Sequence, residues 1–339
     1  MSQQKSVKVD IAQKYCPKCN HHTFLNKCEK CGGYTEFHRV CNTCQKSFPL
    51  TEERCDKCNG FLSNFASREL NIGQIFSKAL EKFNISIPTV KGVKGLNNMF
   101  KSAEPIEKGI LRAMNDVYVF KDGTIRFDST DIPFTHFTCE EIGITPQDAV
   151  NLGYDLDIYG KPIIEPNQVI ELKCQDIIIT DHCAEYFTRV AKFVDDELEY
   201  LYKQPRFYNI KEKRDLIGQY FAGLAPHTSA AIIGRCIGFC QINSGYAHPY
   251  WHAAKRRNCD GDEDGLMLLL EYLLNFSKYY LPSSLGGKMD APLVLSVILD
   301  PKEVDAESHN VDTLPEYPLQ FYRDSMKYPK PNELESYMR

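Results

Sequence analysis

The chain has 339 residues, of which 43% are hydrophobic and 25% are charged, and this ordinary composition predicts a globular protein of two to three domains. Its net charge of −5 gives no global signal for nucleic-acid binding, and no stretch is apolar over the length of a membrane span. Fourteen cysteines, in a sequence whose first residues lack the apolar run of a secretion signal, predict reduced and largely metal-bound thiols in the cytoplasm.

Residues 1–65 carry four Cys-x-x-Cys pairs. Two residues between cysteines let one tight turn present both sulfurs to one ion, and two such turns complete a tetrahedral site. We expect two structural zinc ribbons paired in sequence order, although a crossed pairing also satisfies the spacing. In the sequential pairing, the ligands are Cys16, Cys19, Cys28 and Cys31 in the first ribbon and Cys41, Cys44, Cys55 and Cys58 in the second. Zinc would replace a core too small to fold alone; DNA contact through Lys18, Lys30 and Lys57 is the alternative.

Residues 66–104 are predicted to form a helical linker. The segment 67–84 places apolar side chains on one helical face, and "VKGVKGLNN" after it has the composition of a basic loop. That loop is either a solvated linker or a phosphate contact through Lys91 and Lys94.

From about residue 105 the pattern favours strands. "VYVFKDGTIRFD" (117–128) predicts a hairpin around Asp122-Gly123, and the segment 162–180 predicts two short strands. An amphipathic helix is expected over 184–203, within a helical insertion of about 181–240.

The last part of the chain is predicted to begin with a buried helix. Residues 266–281 are apolar nearly all round, which favours such a helix, and a core strand should follow within 286–299. We expect a loosely packed tail over 301–339.

The stretch "NCDGDEDG", residues 258–265 and hereafter the acidic segment, matches two kinds of metal site. Asp260, Asp262, Asp264, Gly265 and Glu271 satisfy the helix–loop–helix calcium pattern. Four observations argue against a calcium site. The ninth loop position is the apolar Leu268, and the run after the loop looks buried. Pro249 disfavours an entering helix, and three cations precede the loop.

A magnesium site for phosphoryl transfer fits the surroundings better. Asp260, Asp262 and Asp264 would project to one side of an extended chain and could hold two Mg²⁺ ions, with Asn258 ligating or orienting beside them. The expected phosphate contacts are Lys255, Arg256 and Arg257. Asp264 is either a helix cap or a third ligand, and Glu263 and Glu271 should be outer-shell or surface residues. A solvated acidic turn without metal is the remaining alternative.

Blocks typical of one protein family are distributed along the chain. They are "AHPYWHAAKRRNCDGDEDGLMLLLEYLLNFSKYYLP", "GGKMDAPLVL", "VKGVKG", "KGILRA", "DGTIRFD", "PFTHF", "LGYDLDIYGKP", "ELKCQDI" and "LAPHTSAAIIGR". Through these blocks the chain resembles the large subunit of archaeal D-family DNA polymerase over nearly its whole length. This resemblance implies an α+β fold in which two zinc ribbons precede a double-psi β-barrel catalytic domain, over about 105–300, with helical insertions.

The resemblance also implies site residues. Asp260 and Asp262 match the family's metal-binding aspartates, with Asn258 beside them. The RNA polymerase motif N-A-D-F-D-G-D has the same spacing as "NCDGDED", which adds weight to Asp264 as a third ligand. Lys288 and Asp290, in a Gly-opened loop, are expected to line the site. His248 and His252 are expected to brace the core rather than to act in catalysis.

The implied activity is replicative, template-directed nucleotidyl transfer with Mg²⁺. The implied partners are primer-template DNA and dNTPs, a chain carrying the first barrel, a small nuclease subunit that supplies 3′–5′ exonuclease activity, and a sliding clamp, at the nucleoid of an archaeal cell. The family's large subunit is several times longer, so we expect this chain to be an excerpt or a split-gene product that does not polymerise DNA alone. The competing hypothesis is a non-catalytic zinc-ribbon module for DNA binding or assembly.

Overall fold

The computed structural model describes residues 6–83, 90–92, 96–256, 261–277, 279–284, 286–310, 312, 314 and 316–338. The chain forms two compact units, each assembled from three stretches of sequence. The first unit comprises Met1–Arg126, Arg189–Asn209 and Leu270–Ala291, and the second comprises Phe127–Thr188, Ile210–Leu269 and Pro292–Arg339. Among the described residues, no helix combines the length and the apolar character needed to cross a membrane.

The cysteine-rich part of the first unit is organised around one five-stranded sheet. Its strands are β2 (Lys14–Cys16), β3 (His21–Thr23), β4 (Glu36–Cys41), β5 (Ser47–Pro49) and β6 (Leu62–Ser63). The first residues of β4 pair with β2, and its later residues pair with β5 and β6. Both cysteine-rich segments are therefore joined through one continuous strand.

The remainder of the first unit contains a two-stranded ribbon and short helices. Strands β1 (Val7–Ala12) and β7 (Phe65–Leu70) pair antiparallel, and α1 (Ile72–Phe83) and α2 (Ile106–Met114) follow. The helix predicted over 67–84 therefore begins later, because its first residues are held in strand pairing with β1.

The second unit contains a closed β-barrel. In its described residues, six strands follow one another around the barrel, and the last pairs back to the first. In spatial order they are β11 (Asp176–Thr180), β14 (Ser244–Ala247), β8 (Phe127–Pro133), β15 (Glu263–Leu268), β12 (Tyr220–Leu224) and β13 (Ala230–Cys240). The β14–β8 and β13–β11 pairs are parallel and the other four are antiparallel.

Smaller elements surround the barrel strands. Strand β16 (Val294–Ser296) adds parallel to the start of β13 outside the closed ring, and β9 (His136–Phe137) pairs with β10 (Ile170–Glu171). The α-helices of the remaining chain are α3 (Pro146–Asn151), α4 (Asp181–Glu197), α5 (Pro249–Ala254), α6 (Leu269–Asn275) and α7 (Leu319–Ser325). A single π-helical turn, Leu198–Tyr202, extends α4. Short 3₁₀ turns cover Lys213–Leu216, Pro301–Glu303, Ala306–Asn310, Pro331–Glu333 and Glu335–Tyr337.

The indole ring of Trp251 explains two glycines in the barrel strands. A Cβ at Gly223 would lie 2.4 Å from the ring, and one at Gly234 would lie 2.8 Å from the Ile177 side chain and 3.2 Å from the indole nitrogen. Strands β12 and β13 therefore need glycine where the ring lies against their backbones. The indole N–H donates to the carbonyl of Ile233 at 3.2 Å, which fixes the ring's orientation.

The predicted amphipathic helix over 184–203 is confirmed as α4 and its π-helical turn. The predicted face is buried at Phe187, Val190, Ala191, Val194 and Leu198. The expected helical insertion ends earlier than residue 240, because β12 and β13 are barrel strands.

Three other element predictions are wrong. Residues 266–268 continue β15, so the buried helix is only the short α6; a strand covered on both faces is as uniformly apolar as a buried helix. In the segment 117–126, all of it described, the predicted turn at Asp122-Gly123 forms, and the Phe120 N–H donates to the Thr124 carbonyl at 2.8 Å, but no strands flank it. The Ile125 N–H donates to Glu271 rather than to a partner strand. The expected core strand is the exposed β16, in which Val294 is 59% exposed.

Candidate functional site

Two cysteine tetrads lie in the first unit. The sulfur atoms group as Cys16, Cys19, Cys28 and Cys31, and as Cys41, Cys44, Cys55 and Cys58, each set within 4.8 Å. The closest Sγ–Sγ distances are 3.4 and 3.5 Å in both tetrads. Four sulfurs about 2.3 Å from a tetrahedral zinc ion would stand roughly 3.8 Å apart, so both sets are close to the size that zinc requires. The grouping in sequence order is confirmed.

The same turn builds all four Cys-x-x-Cys pairs. In each, the residue after the second cysteine of the pair has positive φ, and its N–H donates to the carbonyl of the first cysteine. These residues are Asn20, Gly32, Gln45 and Asn59. In the second tetrad, the N–H of Cys44 is the largest of several groups that lower the pKa of the Cys41 thiol to about 6, which favours the thiolate that binds metal.

The acidic segment follows α5 in the chain and ends within β15, and its described part begins at Gly261. Asp262 has an exposed carboxylate just before β15, and its backbone carbonyl accepts the N–H of Asp131 from β8 at 2.8 Å. This bond fixes the end of the segment to the barrel wall. The predicted site residues Arg257, Asn258 and Asp260 lie outside the described residues.

Asp264 is a barrel-wall residue, so its prediction as a helix cap is wrong. It lies within β15, is 3% exposed, and forms an ion pair with Lys255, whereas α6 begins only at Leu269. Ligand atoms of Asp131, His252 and Asp264 lie within 4.8 Å of one another, in a geometry that could hold a metal. The ammonium of Lys255 already supplies a positive charge to this cluster.

Lys255 is therefore not the surface phosphate contact that the sequence suggested. Its side chain is buried at 1% exposure and its ammonium lies 4.3 Å from the centroid of the Trp251 ring. The segment 256–263 is bounded on one side by Lys255 and on the other by Asp264. One buried ion pair thus ties together the two points where the chain leaves α5 and returns to the barrel.

The two histidines near the segment are core residues, in line with expectation. His252 Nε2 lies 3.1 Å from the Ile132 carbonyl and Nδ1 lies 3.4 Å from a carboxylate oxygen of Asp131. Burial lowers the pKa of His252 well below its ordinary value, so the ring is neutral. His248 caps α5 by accepting the N–H of Tyr250, and Pro249 occupies the first turn, where proline is tolerated. The prediction that Pro249 disfavours a helix here is therefore wrong.

The other predicted cations that are described divide between the two units. Arg256 is exposed with φ +60°, and Lys288 lies half-buried in a turn of the first unit. Lys91, also in the first unit, pairs with Asp116 and lies 4.0 Å from the Tyr118 ring centroid. Lys94 lies outside the described residues.

Glu271 was expected at the surface or in an outer shell, and the structure corrects this. It is 0% exposed in the first unit, and burial is the main reason that its pKa rises to about 8. One oxygen accepts the Ile125 N–H at 3.1 Å, and the other, within the described part of the chain, has no hydrogen-bond partner. Its isolation in the apolar run "LMLLLEYLL" was the available signal that this carboxyl is buried.

These features define a mixed α/β protein with a closed barrel, an exposed aspartate at the start of a barrel strand, and two cysteine tetrads suited to zinc. Residues 84–339 match the family described as "DNA polymerase II large subunit DP2, catalytic domain", and residues 1–49 match the central domain of the same subunit.

Individual relatives agree with the family match. The DNA polymerase II large subunit of Pyrococcus furiosus is 50% identical over 336 residues, covering 97% of this chain and 27% of that protein. Those of Archaeoglobus fulgidus and Methanocella arvoryzae are 48% and 47% identical over 98% of this chain and 29% of each relative. The chain belongs to the DNA polymerase II large subunit family. It spans less than a third of the length of the curated relatives it matches.

Proposed function

We propose that this chain supplies the Mg²⁺-binding part of the active site of an archaeal DNA-directed DNA polymerase. The observation that carries the proposal is Asp262, an exposed carboxylate held at the start of a barrel strand in a chain of this family. A carboxylate on a rigid strand end, open to solvent, suits an ion that keeps positions free for substrate phosphates.

Asp262 and Asp260 would hold the metal, with Asn258 ligating or orienting beside them. When bound, a pair of Mg²⁺ ions would activate the primer 3′-oxygen and stabilise the leaving pyrophosphate. The Lys255–Asp264 ion pair fixes the ends of the segment that carries these residues, so we assign both to positioning rather than to metal or phosphate binding. Arg256 and Arg257 remain the proposed phosphate contacts beside the segment, and Lys91, Lys94 and Lys288 remain predicted contacts elsewhere.

The finer structural assignments belong to the same proposal. We assign the closed barrel to the double-psi class and the two tetrads to structural zinc ribbons, on the family membership and the sulfur distances. The proposed assembly includes a chain carrying the first barrel, the small subunit with associated 3′–5′ exonuclease activity, and a sliding clamp. Its substrates are primer-template DNA and dNTPs, and its place is the archaeal nucleoid.

Primer extension tests this function. The chain is co-expressed with the remaining part of the large subunit and the small subunit, and extension of a labelled primer is measured with Mg²⁺. Asp260→Asn and Asp262→Asn should each lower the rate about a hundredfold or more, a loss of about 3 kcal/mol of transition-state stabilisation. Glu263→Gln, an exposed carboxylate next to Asp262, is the matched control and should keep the rate.

Two outcomes would overturn the proposal. Unchanged extension with Asp262→Asn would remove this residue from the metal site. Binding of primed DNA without synthesis by the complete wild-type assembly would favour a non-catalytic DNA-binding or assembly module instead.

A further inference from the structure

Each cysteine tetrad, together with the short strands around it, forms a module, and the two modules each expose one aromatic ring at the same position. Tyr34 is the third residue after the last cysteine of the first tetrad, and Phe61 is the third residue after the last cysteine of the second. Their exposures are 74% and 70%. Across residues 6–83, all of which are described, these are the only large hydrophobic side chains exposed to this extent.

Each exposed ring carries a cation, again at equivalent positions. Lys27 and Arg54 immediately precede the third cysteine of their tetrads, and antiparallel bridges set Lys27 opposite Tyr34 and Arg54 opposite Phe61. The Lys27 Nζ lies 5.3 Å from the Tyr34 ring centroid, and the Arg54 Cζ lies 4.7 Å from that of Phe61. The ring and the cation are different residue types in the two modules, but both modules place one cation over one aromatic ring.

The Phe61 ring lies outside the core of its module, and both rings are largely exposed. The core of the second module is formed by Cys41, Phe48 and Cys55 with Leu62 packed against it, and Phe61 does not belong to it. A ring that is more than two-thirds exposed gains little from burial. A smaller side chain could form the same backbone bridge. Folding of the modules therefore does not explain why a large aromatic ring is exposed at both positions.

The surroundings of the rings favour a nucleic acid over an apolar protein surface. Apolar protein interfaces are marked by large contiguous apolar patches, whereas each of these rings is the one largely exposed apolar side chain of its described module and has a cation over it. Within the Cys-x-x-Cys turns, the exposed cations Lys18, Lys30 and Lys57 outnumber the exposed acids Glu29 and Asp56. With a cation over one face of each ring, the other face suits a nucleotide, whose base stacks on it while a neighbouring phosphate meets the cation.

We propose that the Tyr34–Lys27 and Phe61–Arg54 pairs form a two-point contact for single-stranded nucleic acid. Bases stack on the two rings, and adjacent phosphates lie against the two cations. Because β4 joins both modules in one sheet, the two contacts are linked and strengthen each other's binding. This contact does not depend on Asp262, so its failure and the failure of the proposed polymerase function are separately measurable.

Fluorescence anisotropy with labelled oligonucleotides of about 15 nucleotides tests the proposal on the zinc-loaded full chain. Tyr34→Ala and Phe61→Ala should each weaken oligo(dT) binding roughly tenfold, or about 1.4 kcal/mol, since each removes one base-stacking contact. Tyr34→Phe should bind as the wild type does. Tyr159→Ala, which removes a tyrosine that is 71% exposed in the second unit, is the matched control and should leave affinity unchanged.

The cations are tested by salt dependence. Two phosphate contacts to a single strand contribute a slope of about −1.4 in log K against log salt, and Lys27→Gln with Arg54→Gln should remove that contribution. A parallel titration with oligo(U) shows whether the contact serves DNA, RNA or both. Equal binding of duplex and single strands, with both lost in the ring variants, would overturn stacking as the mode of contact.

Zinc content and thermal unfolding accompany every variant. If an alanine variant loses zinc, Tyr34→Leu and Phe61→Leu retain apolar bulk without the aromatic face and give the same comparison. The proposal fails if variants with full zinc content and without the rings bind oligo(dT) within twofold of the wild type.

Discussion

Replacing Lys255 by Met should destabilise the barrel unit more than any substitution of an exposed cation. Lys255 and Asp264 are 1% and 3% exposed and form an ion pair, so the substitution leaves a buried carboxylate without its cation, beside the carboxyl of Asp131. Breaking such a pair costs about 3–5 kcal/mol. That is a large fraction of the roughly 5–15 kcal/mol that holds a domain folded.

Urea unfolding followed by tryptophan fluorescence measures this effect at the site itself. Trp251 is the chain's only tryptophan, and Lys255 lies 4.3 Å above its ring. With an m-value of about 2 kcal/mol/M, the midpoint should fall by roughly 1.5–2.5 M. Replacing both partners, Lys255→Met with Asp264→Leu, should recover most of the loss, because an apolar pair leaves no uncompensated charge.

The matched control is Arg256→Met, which removes the neighbouring exposed cation and should change stability by no more than about 0.5 kcal/mol. The reasoning is refuted if Lys255→Met unfolds within about 1 kcal/mol of the wild type, or if the double variant is as unstable as the single one.

Three further predictions concern other parts of the chain. The pKa of Glu271 is raised to about 8 in the folded state from the ordinary 4.5, so its contribution to stability is complete below about pH 4.5 and is lost as pH rises towards 8. This decline is of order 5 kcal/mol, at about 1.4 kcal/mol for each pKa unit. Glu271→Gln should flatten it in urea titrations across that pH range, and an unchanged decline would contradict the prediction. A colorimetric assay after denaturation should find two zinc ions per chain in the wild type. Cys28→Ser should lose one of them and Cys174→Ser none. An equal zinc content in all three proteins would contradict the assignment of the tetrads as zinc sites. Gly223→Ala places a Cβ 2.4 Å from the indole ring and should destabilise by about 1–3 kcal/mol, whereas Gly286→Ala enters open space; equal melting temperatures would contradict the close packing.

The cysteine tetrads and helix α4 were predictable from the sequence because their signals are local. Two residues between cysteines nearly dictate a metal-binding turn, and the helical period of α4 is long enough to define one buried face. The turn conformation itself was not visible in the sequence, since three of the four turns place a residue other than glycine, Asn20, Gln45 or Asn59, in the left-handed conformation.

The barrel strands and their charges were harder to predict because their environment is set by pairing across the chain. The run after the acidic segment is apolar on every side, and only its neighbours β8 and β12 determine that its first residues form a strand. Lys255 and Asp264 likewise look like surface charges in a charged stretch, and their burial follows from the fold that brings them together. Composition identifies the charges but not which of them face the interior.

The central claim is that the acidic segment holds a divalent metal through Asp262, and Mn²⁺ binding tests it most directly. Mn²⁺ shares the oxygen ligands of Mg²⁺ and avoids thiolate sites, so the zinc-loaded chain can be titrated and free Mn²⁺ followed by electron paramagnetic resonance. We predict that the wild type and Glu263→Gln bind Mn²⁺ and release it to competing Mg²⁺, and that Asp262→Asn binds at least tenfold more weakly. Equal binding by Asp262→Asn and the wild type would contradict the claim.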